Sequence, residues 1–279
     1  MKLTYLGTAA AEGFPAVFCN CEYCQKARES KDRRNLRTRS QALINDDLLI
    51  DLPADTMAHF HQNNIRGDKI KYIIITHSHN DHFYDVNLDL HGSCYAHNMQ
   101  EEKLHVFGSD VVYARLEGQL KRMKKSVAET IEIHKAEPYK TEHIGGYEIT
   151  PLPARHAGNE LAVFYIIKEQ NKVMLYAHDT GYFYHEVFEY IEKSGIKFDL
   201  VSLDCTNAHL PSSPVENHMG FDNNERVIKI LRSIGAVSEE TKLFVNHFSH
   251  NGNPLHEDML ISAARIGCGV SYDGCKVEI

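Results

Sequence analysis

Residues 76–82 read Thr-His-Ser-His-Asn-Asp-His and follow the apolar run Lys-Tyr-Ile-Ile-Ile at 71–75. Four metal-ligand side chains, His77, His79, Asp81 and His82, thus crowd into six positions at the end of a buried strand. Imidazole suits a borderline-soft divalent ion and carboxylate a harder one. His77 and His79, two apart on extended chain, point to the same side. Asp81 and His82 lie on the following turn and can face a second ion. A polar loop that merely carries histidines is the plainer alternative, and so dense a donor set directly after a buried strand speaks against it.

Three more strand-like runs end in a potential ligand. "YEITPLPAR" leads into His156, "VMLYAH" into Asp179 and "KLFVN" into His247. Loops at strand ends carry the chemistry of layered folds, so four such ends can converge on one cleft. Further short apolar runs, "KLTYL", "LLIDL", "LHVF", "LAVFYII" and "DLVSL", read as strands. Helical spacing lies between some of them. Val227, Ile230, Leu231 and Ile234 follow i, i+3, i+4, i+7, with Asp222 expected as the cap and Gly235 as the stop. Gly195 and Gly267 end two similar stretches. Strands alternating with helices indicate an α/β protein. With no repeat and no linker-like tract, one domain over 1–279 is the expectation.

The chain is 43% hydrophobic, enough for a full core without disulfides, and no apolar stretch is long enough to span a membrane. The start, "MKLTYLGTAAAEG", reads as a strand and not as a signal peptide, so a cytoplasmic location is expected. A net charge of −8 argues against broad nucleic-acid binding. Two basic stretches, 26–39 and 121–125, read as solvated surface, or alternatively as a patch that attracts a small anionic substrate.

Three of the seven cysteines fall together as Cys19, Cys21 and Cys24. Cys-x-Cys-x-x-Cys can wrap one zinc, with His250 as the candidate fourth ligand. Reduced structural thiols or a labile disulfide are the alternatives. The scattered Cys94, Cys205, Cys268 and Cys275 are expected to be buried or half-buried.

The ordered set "THSHNDH", "PLPARHAG", "YAHDTGY" and "VNHFSH" resembles the metallo-β-lactamase superfamily. That resemblance implies an αββα sandwich, two β-sheets flanked by helices. It also implies one metal on His77, His79 and His156, a second on Asp81, His82 and His247, and Asp179 bridging both. Such a pair of divalent ions, manganese, zinc or iron, activates a shared water as hydroxide and stabilises charge on the substrate oxygen. The cysteine trio after "LGT", with His-x-x-His near the end, narrows the resemblance further. It is similar to the branch that opens 5-phosphoribosyl 1,2-cyclic phosphate and has relatives in pyrroloquinoline quinone biosynthesis. In that branch the stretch "LDCTNAHLPSSPVENHMGF" supplies the proton donor, here His218, with His209 the weaker candidate. The chain departs from the pattern after "NDH", where "FYDVNLDL" replaces an early glycine, and in the long segment 92–145. Asp85 is a candidate partner for a ligating histidine, or an ordinary loop carboxylate. The expected activity is a two-metal phosphodiesterase acting on a small phosphorylated substrate, with a homodimer as one expected assembly. Lactone or thioester hydrolysis, tRNA 3′-end processing and a carrier role without turnover are the alternatives.

Overall fold

The computed structural model describes residues 1–279 as two seven-stranded sheets packed face to face. The first half of the chain contributes β1 (Lys2–Gly7), β2 (Gln41–Ile44), β3 (Leu48–Ile50), β4 (Tyr72–Ile74), β5 (Leu104–Gly108) and β6 (Ile131–Lys135). The second half contributes β7 (Glu142–Ile144), β8 (Tyr147–Pro153), β9 (Val163–Glu169), β10 (Lys172–Ala177), β11 (Leu200–Asp204), β12 (Lys242–Asn246) and β13 (Gly269–Val270). The last strand, β14 (Lys276–Glu278), returns to pair with β1. The sheet orders are β14-β1-β2-β3-β4-β5-β6 and β13-β12-β11-β10-β9-β8-β7. Each sheet is antiparallel on one side and parallel on the other, at β3 through β6 and at β10 through β13.

The chain has seven helices, α1 (Glu22–Glu29), α2 (Thr56–Asn63), α3 (Asp110–Arg122), α4 (Lys125–Ala128), α5 (His185–Ser194), α6 (Phe221–Ser233) and α7 (His256–Arg265), of which α2, α3, α5, α6 and α7 pack on the outer faces of the sheets. Strand alternation explains the layering. Tyr5, Ile44, Ile50 and Ile74 face Ile149, Tyr165, Met174 and Tyr176 across the gap between the sheets. Their sequence neighbours Leu43, Leu49 and Ile73 turn outward and pack under Phe60 of α2 and Val112 and Leu116 of α3. Behind the second sheet, Val201, Leu203 and Val245 pack against α5, α6 and α7 through Ile191, Leu231 and Met259. Buried on both faces, these strands read as continuous apolar runs in the sequence. The expected αββα sandwich is what the chain forms.

Two polar bonds cross the sandwich near its active edge: Tyr5 Oη pairs with Ser202 Oγ at 2.7 Å, and Tyr165 Oη donates to the Ile75 carbonyl at 2.6 Å. Gly7 ends β1 where the Arg39 carbonyl lies so close that any Cβ would collide with it.

Several expectations need correction. Asp222 is not the cap of α6; Gly220 takes that position, and Asp222 in the first turn accepts from Ser212 N at 3.1 Å. Cys94 is exposed, whereas Cys205, Cys268 and Cys275 are buried. The long segment 92–145 is in large part regular structure, carrying β5, α3, α4, β6 and β7. No helix is long and apolar enough to cross a membrane.

Candidate metal centre

All four strand-end ligands meet at one edge of the sandwich, together with the other donors of the 76–82 turn. Donor atoms of His77, His79, His156 and Asp179 lie within 4.8 Å of one another, as do those of Asp81, His82, Asp179 and His247. Asp179 belongs to both groups. Its Oδ2 is 3.2 Å from His77 Nε2 and 2.9 Å from His82 Nε2, and its Oδ1 is 3.2 Å from His156 Nδ1. The chain turns sharply to present these side chains. Asp179 and His247, with the nearby Asp51, have φ of 54°, 66° and 67°, the left-handed region that costs a non-glycine residue about 1 kcal/mol.

His82 and His247 are held from outside by protein, and their inward nitrogens face each other. His82 Nδ1 donates to Asp51 Oδ2 at 2.7 Å, and Asp51 Oδ1 is fixed in turn by Thr76 N at 2.8 Å. His247 Nδ1 donates to Thr206 Oγ1 at 2.7 Å, so its Nε2 meets His82 Nε2 at 3.3 Å. His77 Nε2, His156 Nδ1 and Asp179 Oδ1 are buried and make no hydrogen bond at all. Stranding three buried polar atoms in one place is costly unless a ligand satisfies them. The donor set fits divalent ions. Burial keeps His77 and His156 neutral and able to ligate, His156 being pushed down to about 4. Burial would raise the Asp179 carboxyl, but His247, His77 and His82 hold it well below the usual range.

His218 stands at the rim, 27% exposed, with Nδ1 3.1 Å from Asp179 Oδ1 and 3.4 Å from Asp204 Oδ2. Burial favours its neutral form, yet the two carboxylates win and raise it to about 9. The site opens into a cavity of about 340 Å³ whose lining includes Glu12, His79, Asn207, His218 and Asn251. No lysine or arginine lines it. The alternative reading of 26–39 as a substrate-attracting patch therefore finds no support at this cavity, and the expected solvated surface covers only part of the stretch. Arg37 is buried and donates to Thr8 Oγ1 and the Ser271 carbonyl, and Arg34 pairs with Asp32. In the second stretch, Arg122 reaches Asp85 at 3.7 Å.

The cysteine cluster forms a separate group. Donors of Cys19, Cys21, Cys24 and His250 lie within 4.8 Å of one another, with Cys21 Sγ 3.7 Å from His250 Nδ1. That contact lowers the Cys21 thiol to about 6. Glu12 links the two centres, since its Oε1 accepts from Ser249 Oγ at 2.6 Å and from His250 N at 3.3 Å.

His209 is not drawn in; its Nδ1 contacts Ser262 Oγ at 3.3 Å, outside the metal cavity. Asp85 partners no ligating histidine and instead pairs with Arg115 at 3.1 Å. Arg115, from α3, also donates to the Ser78 carbonyl at 2.6 Å, while Glu160 accepts from Ser78 N at 3.0 Å, so both brace the histidine turn. The residues that sequence reading missed are Asp51 and Asp204. Both stand at strand ends, after β3 and at the close of β11, as Asp179 does after β10, but neither lies in a motif with a second donor that would have singled it out.

Residues 47–248 match the model of the "Beta-lactamase superfamily domain". Over 318 aligned positions the chain is 22% identical to coenzyme PQQ synthesis protein B of Acinetobacter baumannii (strain ACICU), covering 100% of both. Its fold is similar to the crystal structure of a diphosphatase from the PhnP family, with a TM-score of 0.71, 22% identity and coverage of 100% and 97%. It is also similar to Zn(2+)-bound PqqB from Methylobacterium extorquens, with a TM-score of 0.74, 16% identity and full coverage of both chains. The chain belongs to the β-lactamase superfamily and is a metal-dependent hydrolase of the metallo-β-lactamase fold.

Proposed function

We propose that the protein hydrolyses a small phosphodiester, a cyclic phosphate such as 5-phosphoribosyl 1,2-cyclic phosphate being the substrate to try first. The observation that carries this reading is the pair of donor groups sharing Asp179, with three buried polar atoms left without hydrogen bonds and His218 at the rim beside them. His77, His79 and His156 would hold one ion, Asp81, His82 and His247 another, and Asp179 both. Two divalent ions held there would supply an acidified water as nucleophile and would take up charge on the substrate oxygen. A carboxylate bridge suits manganese or iron as well as zinc.

The remaining work falls to protein groups. His218 Nδ1 is held by its hydrogen bond to Asp204 Oδ2, which leaves its Nε2–H free to protonate a departing alkoxide. Asn207, Asn251 and Glu12 line the cavity and offer hydrogen bonds to sugar-like hydroxyls. Cys19, Cys21, Cys24 and His250 would close a tetrahedral zinc, which ties the N-terminal loop to the end of β12. Full-length similarity to coenzyme PQQ synthesis protein B supports a second reading, a role in making a small cofactor from the same site.

Phosphorus NMR of the cyclic phosphate with manganese-loaded protein, beside a linear phosphodiester and a lactone, tests the first reading. Conversion of a phosphodiester signal to a monoester signal is the expected result. Lactone opening with both phosphodiesters intact would overturn it.

A further inference from the structure

A third group of donors lies away from both centres, on the face of the first sheet that looks into the sandwich, near its open edge. β5 and β6 run parallel, with His105 opposite Glu132 and Phe107 opposite His134. Phe107 belongs to the core between the sheets, so His105, two residues earlier, shares its face. Glu132 and His134, also two apart, share a face of β6. The three donor atoms converge: His105 Nδ1 is 3.1 Å from His134 Nε2 and 3.5 Å from Glu132 Oε2, and all three lie within 4.8 Å of one another.

From this geometry we infer that His105, Glu132 and His134 form a further binding site for a borderline divalent cation of the zinc, copper or nickel class. Two imidazoles and a carboxylate are the ligand set that such ions prefer over calcium or magnesium. Three protein ligands leave one position of a tetrahedron open to water.

The ligands are held before any ion arrives. The His134 ring stacks on Phe107 at 4.4 Å and 15°, and the His105 ring leans on Tyr72 at 5.8 Å. Glu132 directs Oε1 to Lys103 at 3.4 Å, which leaves Oε2 for the site. Burial keeps His134 neutral, the form that ligates. The contact between the two histidines requires a proton on one of the facing nitrogens. Binding moves that proton to the other nitrogen of the same ring, with no net change in charge.

Residue Tyr72 sits opposite His105 at the start of β4, whereas His77 follows the end of that strand. The site is thus separate from the hydrolytic centre, and it does not rest on the proposed phosphodiesterase activity. Its test uses the full-length holoprotein, dialysed against buffered free zinc and counted for metal after gel filtration. Copper EPR is recorded on samples whose other sites are already filled. Wild type is expected to hold one zinc equivalent more than the double variant His105→Ala/His134→Ala. Its copper signal should carry splitting from two imidazole nitrogens, and Glu132→Gln should weaken binding at least about tenfold. Hydrolytic activity and far-UV circular dichroism should be the same in all three proteins. Equal zinc counts in wild type and double variant, or a copper signal that survives the double substitution, would overturn the assignment.

Discussion

His218 shows how one residue's surroundings fix its role. Its Nδ1 faces two carboxylates, which raise it to about 9, and its ring lines the cavity. His218→Ala should lower kcat by about 10²–10⁴-fold on a substrate with an alkoxide leaving group, and much less on a nitrophenyl ester, whose leaving group needs no proton. Steady-state kinetics on the two substrates, with metal content checked, separates a proton donor from a residue that only shapes the site. Asp51 acts one step further out, by holding His82 Nδ1 at 2.7 Å. Asp51→Asn should weaken metal binding about 10–100-fold, read by competition with a chromogenic chelator. Four of the seven metal-ligand candidates, His77, His156, Asp179 and His247, could be picked out in the sequence because each closes a strand-like run, and His79, Asp81 and His82 because they crowd the turn after the first. The partners of those donors were not, since a single Asp after "LLI" or "LVSL" differs from any loop carboxylate only once the strands are assembled.

Among the elements, helices with strong apolar spacing were legible to within a residue or two. α5 and α6 each bury one face and stop near glycines with positive φ, Gly195 at 64° and Gly235 at 74°. Short edge strands were not legible: β7 and β13 have three and two residues, too few to show a period. α2 carries a testable consequence on its buried face. His59 is fully buried, with Nδ1 2.7 Å from Gln41 Oε1 and Nε2 2.7 Å from Thr38 Oγ1, and burial lowers it to about 4. In the unfolded chain it titrates near 6.5, so the unfolded state binds more protons between those values. The stability that neutral His59 contributes is present above pH 6.5 and lost as pH falls through 4. Urea melts at pH 7 and pH 4 should show wild type losing about 3 kcal/mol more than His59→Gln over that range. An equal loss in both proteins would contradict this.

At the scale of the whole molecule, the chain leaves the first sheet after β6, builds the second, and returns through β14, so the metal edge gathers residues from both halves. Cys21 and His250, 229 positions apart, close a further long-range link beside that edge. Such a zinc would tie the N-terminal loop to the strand end that carries His247. Cys21→Ser should therefore release one zinc and lower the melting temperature by roughly 5 °C or more, followed by calorimetry. Without metal, wild-type Cys21 should react with iodoacetamide already near pH 6, where its hydrogen bond to His250 sets the thiol. The central claim concerns Asp179, shared by both donor groups. Low-temperature EPR during manganese titration tests it most directly. The account predicts that the second equivalent converts an isolated six-line signal into that of an exchange-coupled pair; two equivalents that bind and remain uncoupled would contradict it.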